Sequence, residues 1–201
     1  MKTKALSAPD GPGIQGMGKT QPKERSGCFT AAQLKIINQS VSLAEELVCN
    51  FFKMSATQWL RHRYDVETYA GLTPQEKVEG PFAQIVRYTC RREGALLCSS
   101  AYDFYKICLQ DKAILSAIER FPAMALFPFV VYIVVHELVH IVRFAKFYQN
   151  FNALPDERLA EEERVHEMTR EILSRHEIEG IRNVIQFYPR LHLDEASSEV
   201  C

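Results

Sequence analysis

The chain has almost no net charge, no close cysteine pairs and no apolar leader. Its 24 Lys and Arg residues against 25 Asp and Glu give a formal charge of −1, too little for bulk attraction to nucleic acid or to an anionic membrane surface. Neither is expected as a partner. Cys28, Cys49, Cys90, Cys98, Cys108 and Cys201 form no C-x-x-C pair. Without a secretory signal they read as reduced thiols, with a Cys90–Cys98 bridge across a hairpin as the alternative. Residues 1–27 are rich in Gly, Pro, Ser and Lys and lack the apolar segment of a signal peptide, so the expectation is a disordered tail on a cytoplasmic protein. The apolar run from Phe121 to Val135 is too short to span a bilayer and contains two prolines. It reads as the buried approach to a helix, with Pro128 near the start or at a kink.

A chain of 201 residues is long enough to bury a real core. It reads as one domain over residues 28–195, followed by a short tail at 196–201. Thr30 suits the N-cap of a long amphipathic helix reaching about Lys53, with Leu34, Ile37, Val41, Leu43, Leu47, Val48 and Phe51 on its packed face. Ser55 suits the cap of a short continuation through Trp59, and Thr73-Pro-Gln-Glu76 has the form of a capping box. Between Pro81 and Gln110 the pattern becomes β-rich, with strands expected in the segments F-A-Q-I-V-R-Y-T-C-R-R, A-L-L-C-S-S and D-F-Y-K-I-C-L-Q. The fold class that results is α+β, mostly helical, with a small sheet preceding the helix that carries the chemistry.

That helix contains V-V-H-E-L-V-H-I-V, from Val134 to Val142. Residues four apart lie on one helical face roughly 6 Å apart, so His136 and His140 can address one metal ion. Glu137, about 100° further round, suits a general base beside the metal. The aliphatic neighbours make the helix apolar all round and therefore central. Burying three polar side chains within five residues without a strong partner would cost several kcal/mol.

After a turn at N-A-L-P-D-E, a second amphipathic helix is expected from about Glu157 to Glu177, with Leu159, Val165, Met168, Ile172 and Leu173 packed. A short loop makes the two helices antiparallel and sets positions 166 and 167 level with His140. Glu163 or His166 then completes a three-ligand site, and Glu167 suits a supporting role, accepting the free ring N–H of a liganding histidine. Glu161 and Glu162 read as a solvated acidic face.

An HExxH helix with aliphatic flanks, followed on a second helix by a glutamate, resembles the zincin metallopeptidases, specifically the gluzincin branch and its small members, the minigluzincins. The resemblance covers Phe129 to Glu177. It implies zinc, one ion per chain, with His136, His140 and Glu163 as ligands, Glu137 as the base on water, and a peptide or protein substrate pairing with an edge strand, for which Phe104 to Leu109 is the counterpart. The chain departs from the family pattern where Glu167 stands in place of the aspartate four residues after the ligand glutamate, and where His166 shares the ligand face. Arg143 and Lys146 exclude the metzincin pattern. For an oxyanion donor, His176, His192, Tyr132 and Tyr148 are the nearest choices.

Two other readings stay open. Glu137-Leu-Val-His140 and Glu163-Arg-Val-His166 are both E-x-x-H, the motif of di-iron carboxylate bundles, to which Glu45 or Glu46 would have to contribute. The other is a non-catalytic scaffold with a structural metal, which a site using both Glu163 and His166 would favour. Homo-oligomerisation is compatible with all three.

Overall fold

A computed structural model describes residues 27–59, 63–91, 101–146 and 155–196. The architecture is α+β, with helices α1 (Ala31–Phe51), α2 (Ala56–Trp59), α3 (Asp111–Arg120), α4 (Leu126–Ala145), α5 (Pro155–Ser174) and α6 (Ile181–Ala196) and strands β1 (Tyr64–Glu67), β2 (Ala83–Arg91) and β3 (Ala101–Leu109). The N-terminal tail, the A-L-L-C-S-S segment, the turn after the HExxH helix and Tyr148 lie outside the described residues, as does any Cys90–Cys98 contact.

α1 begins as its sequence dictates. The Thr30 side chain accepts from the Gln33 N–H at 3.3 Å and the Gln33 side chain accepts from the Thr30 N–H at 2.8 Å, a reciprocal cap that satisfies two donors with no intrahelical partner. Ile37, Ser40, Ala44, Leu47 and Val48 are its buried stripe, and Leu34, expected inside, is exposed. Small residues at 40 and 44 let α1 lie close on α4: the Ser40 hydroxyl reaches the Phe127 carbonyl at 3.3 Å.

The sheet has the order β1-β3-β2, with β1 parallel and β2 antiparallel to β3. β3 is therefore the central strand, and the expectation that Phe104 to Leu109 forms the free edge is corrected. Its backbone groups are already paired with Tyr64 to Glu67 on one side and Ala83 to Arg91 on the other. A buried glutamate fastens the sheet to the preceding turn. Glu76 accepts from the Thr73 N–H at 2.7 Å, the Tyr88 hydroxyl at 2.6 Å and the Lys106 ammonium at 2.9 Å. These partners hold its carboxyl low, at about 2, with the Tyr88 bond the largest influence.

α4 is the centre of the molecule. Its sequence is apolar on every face, and it is buried from Pro128 through His136 and from Leu138 through Val142. Pro128 sits in the first helical turn, where its missing N–H forfeits no intrahelical bond, so no kink is needed. By length and composition α4 is a helix able to cross a membrane, yet 78% of its most apolar window is buried inside the protein, the position of a core helix. The helix ends at Ala145, with the Lys146 N–H closing its last turn on the Val142 carbonyl. Phe144 stacks on His140 at 6.0 Å and on Tyr105 of β3 at 5.9 Å, which ties the motif helix to the sheet.

α5 and α6 close the other side. Gly180, between them, has φ +79° and sits where a Cβ would approach Pro128 to 3.3 Å, so a side chain there would be strained in backbone and crowded against α4. From α6, Tyr188 enters the core beside Tyr132, ring centroids 4.2 Å apart.

Candidate metal centre

α4 and α5 run antiparallel, as the contacts along them show: Arg143 meets Glu161, His140 and His136 meet Glu162, and Tyr132 meets His166. Position falls along α4 as it rises along α5. The inward stripe of α5 is Glu161, Val165, Thr169, Ile172 and Leu173, which fixes the helix's rotation. Measured from Val165, Glu162 lies about 60° round the helix and Glu163 about 160°. Glu162 consequently turns toward α4, whereas Glu163 and Glu167 are exposed on the outer side. The expected ligand Glu163 and supporting residue Glu167 are thus not brought to the histidines; Glu162 occupies that place. Leu159, expected on the packed face, is 66% exposed. Glu161 is not solvated either. It is 4% exposed and receives the Arg143 guanidinium through two bonds, from Nη2 at 2.9 Å and from Nε, with Arg164 at 3.4 Å.

Four side chains gather: His136, His140, Glu162 and His166. His136 Nε2 lies 2.8 Å from Glu162 Oε1, His140 Nε2 lies 3.2 Å from Glu162 Oε2, and the two Nε2 atoms are 3.3 Å apart. His166 Nε2 is 3.4 Å from Glu162 Oε1, and His136, Glu162 and His166 present donor atoms all within 4.8 Å of one another. For bonds of about 2.0–2.1 Å, the edge of a zinc coordination tetrahedron is roughly 3.3 Å. The separations among His136, His140 and Glu162 lie at that edge or up to 0.5 Å inside it, and imidazole with carboxylate is a donor set that zinc accepts. The residues fit the ion.

Electrostatics agree with the geometry. Burial disfavours charge on Glu162, but hydrogen bonds from His136 and His140 outweigh it and hold the carboxyl far below the usual carboxylate range. It is an anion at neutral pH, aimed at two nearly buried imidazoles. Glu137 behaves oppositely. Burial pushes its carboxyl up, with His136 and His140 pulling the other way. Two carboxylates with environments that push them apart suit two roles, one holding charge and one exchanging a proton. His136 Nδ1 is buried and has no hydrogen-bond partner among the described residues, so the supporting acceptor expected at Glu167 is not in place.

Of the proposed oxyanion donors, Tyr132 is at the site, its hydroxyl 3.3 Å from His166 Nδ1, and His176 is exposed in the turn after α5. The His192 side chain lies outside the described residues. Sequence reasoning missed Glu162, and it missed Tyr188, whose ring lies 5.4 Å from His166 and 6.4 Å from His136. The carboxylate signal was present in the α5 stripe; nothing local to α6 marked Tyr188. Of the carboxylates a di-iron centre would draw on, Glu163 and Glu46 are exposed and Glu45 takes the Tyr64 hydroxyl, so among the described residues they are not brought to the histidines. No protein-family model, curated protein or solved structure matches the chain.

Proposed function

We propose that the protein is a zinc-dependent hydrolase of peptide bonds, with His136, His140 and Glu162 holding the ion and Glu137 acting as general base. The observation that carries this reading is a pair of imidazole nitrogens 3.3 Å apart on α4, each 2.8–3.2 Å from one oxygen of the Glu162 carboxylate on the antiparallel α5, with Glu137 next in sequence to a ligand histidine. When bound, zinc supplies Lewis acidity toward a carbonyl and brings the pKa of water to about 7.

The chain's own residues do the rest. Glu137 receives the proton of the attacking water on a carboxylate oxygen and returns it to the departing amine. Its burial raises its proton affinity, which suits a group that must hold the proton between those events. The apolar wall of α4 keeps bulk water from the ligands and strengthens the charge interactions within the cluster. A peptide paired to the sheet would need an outer strand, and β2 is the outer strand that packs on α4. Reduced thiols at Cys28, Cys49 and Cys108 accord with a cytoplasmic setting.

The test is Glu137→Gln in the full chain, assayed against a mixed peptide library with metal content measured in parallel. The reading predicts retained zinc and a loss of about 10²- to 10⁴-fold in hydrolysis. Unchanged turnover would remove Glu137 from the chemistry. No hydrolysis by the parent chain, with zinc bound, would leave a metal scaffold without catalytic function.

A further inference from the structure

Resting on the hydrolase reading above, we infer that Arg170 docks the free C-terminal carboxylate of the substrate, so that the site works on peptides close to their C-termini. Glu162, His166 and Arg170 are spaced four apart on α5, and each step of four turns a side chain about 40° round the helix. Glu162 faces the two histidines of α4. Arg170, two steps on, stands on the same flank of α5 but at its outer rim, where it is half-buried. Helical side chains lean toward the N-terminus of their helix, so Arg170 leans back over His166 and toward Glu162.

Arg170 is set apart by its want of an acid. Arg164 and Arg175 on the same helix pair with Glu161 and Glu171, and Arg143 of α4 meets Glu161. Among the described residues Arg170 forms no ion pair and no hydrogen bond. Its charge acts instead on the Tyr132 phenol, whose pKa burial pushes up and Arg170 pulls back. The Tyr132 hydroxyl is 3.3 Å from His166 Nδ1, which brings the cation to the edge of the metal cluster. The Tyr188 ring, 4.2 Å from that of Tyr132 and 5.4 Å from that of His166, walls the same flank. A half-buried guanidinium with no acid of its own is matched by a carboxylate, because its planar fork takes both oxygens at once.

Reach sets where a bound peptide is cut. Eight residues of helix put the Cα atoms of Glu162 and Arg170 about 12 Å apart along the axis, and the longer side chain at position 170 shortens that gap. An extended peptide covers about 3.3–3.6 Å per residue. Two or three residues then lie between the scissile bond and the docked carboxylate, and the product is a C-terminal di- or tripeptide.

The test assays the zinc-loaded full chain against one mixed peptide library in two forms, with free and with amidated C-termini. Products are read by mass spectrometry, and kcat and KM are taken on the best-cleaved sequence. The parent should release di- and tripeptides and prefer the free acid by about 10- to 100-fold in kcat/KM, the range of a lost hydrogen bond to a charged group. Arg170→Gln should erase that preference through KM with zinc content unchanged, and Arg170→Lys should restore part of it. Equal rates on acid and amide in the parent would overturn the inference, as would an Arg170→Gln chain that slows on both forms alike. No hydrolysis of either form by the zinc-bound parent would overturn the hydrolase reading and this inference with it. If Arg170→Gln does not fold, the parent's acid-to-amide ratio and its change in Arg170→Lys decide.

Discussion

Replacing Arg143 by Met isolates the device that sets the register of α5 against α4. The Arg143 and Glu161 side chains are 13% and 5% exposed, so deleting the cation leaves a carboxylate buried between helices. Arg164 is a weak substitute, since its side chain is 64% exposed and 3.4 Å away, and exposed pairs contribute about 0–1 kcal/mol. Breaking a buried pair by removing one partner costs about 3–5 kcal/mol. At about 2.1 cal/mol/K per residue, a chain of 201 residues has an unfolding entropy near 0.4 kcal/mol/K, so Tm should fall by about 7–12 °C. The double variant Arg143→Met/Glu161→Met removes the stranded charge along with its partner, and it should recover most of that loss or exceed the parent. Urea unfolding followed by far-UV circular dichroism, together with thermal scans, measures all three proteins. A single variant within about 1 kcal/mol of the parent, or a double variant no better than the single, would refute the argument that Glu161 is a desolvated anion.

Two further outcomes follow from the same structure. Glu76 has its carboxyl lowered from 4.5 to about 2, so the unfolded chain binds the extra proton between those values. The stabilisation from Glu76 should be complete above about pH 4.5 and fade as pH falls toward 2, and Glu76→Gln should flatten that part of a stability-versus-pH curve. Thr30→Ala, which removes the side-chain acceptor of the α1 cap, should cost about 1 kcal/mol in denaturant unfolding; a change below about 0.3 kcal/mol would mean the cap is replaced by water.

Elements whose signal is local were readable from sequence. Thr30 with Gln33 marked the start of α1, and the apolar surround of His136 and His140 marked a buried helix. The antiparallel pairing of α4 and α5 followed from the short connection. Register along α5 was off by about one turn, since positions 166 and 167 were set level with His140 whereas Glu162 meets it and His166 meets Tyr132, and rotation about the helix axis was not read either. That rotation is set by Val165, Thr169, Ile172 and Leu173 packing inward together, and counting Leu159 among them obscured the stripe that turns Glu162 inward. A one-residue error on a helix moves a side chain about 100°, enough to exchange a ligand for a surface charge. β3 was recognised as a strand yet misplaced at the edge, because strand order depends on β1, a four-residue strand too short to announce itself. Tyr188 reaches the site through α6, where Pro189 argues locally against a continuous helix. Its role is a matter of tertiary packing.

The account stands most directly on which α5 carboxylate holds the metal. Zinc content of the full chain, purified without a histidine tag and compared with Glu162→Ala and Glu163→Ala, measures this. A stoichiometric ion in the parent and in Glu163→Ala, with loss in Glu162→Ala, is the predicted result. Retention in Glu162→Ala with loss in Glu163→Ala would contradict it.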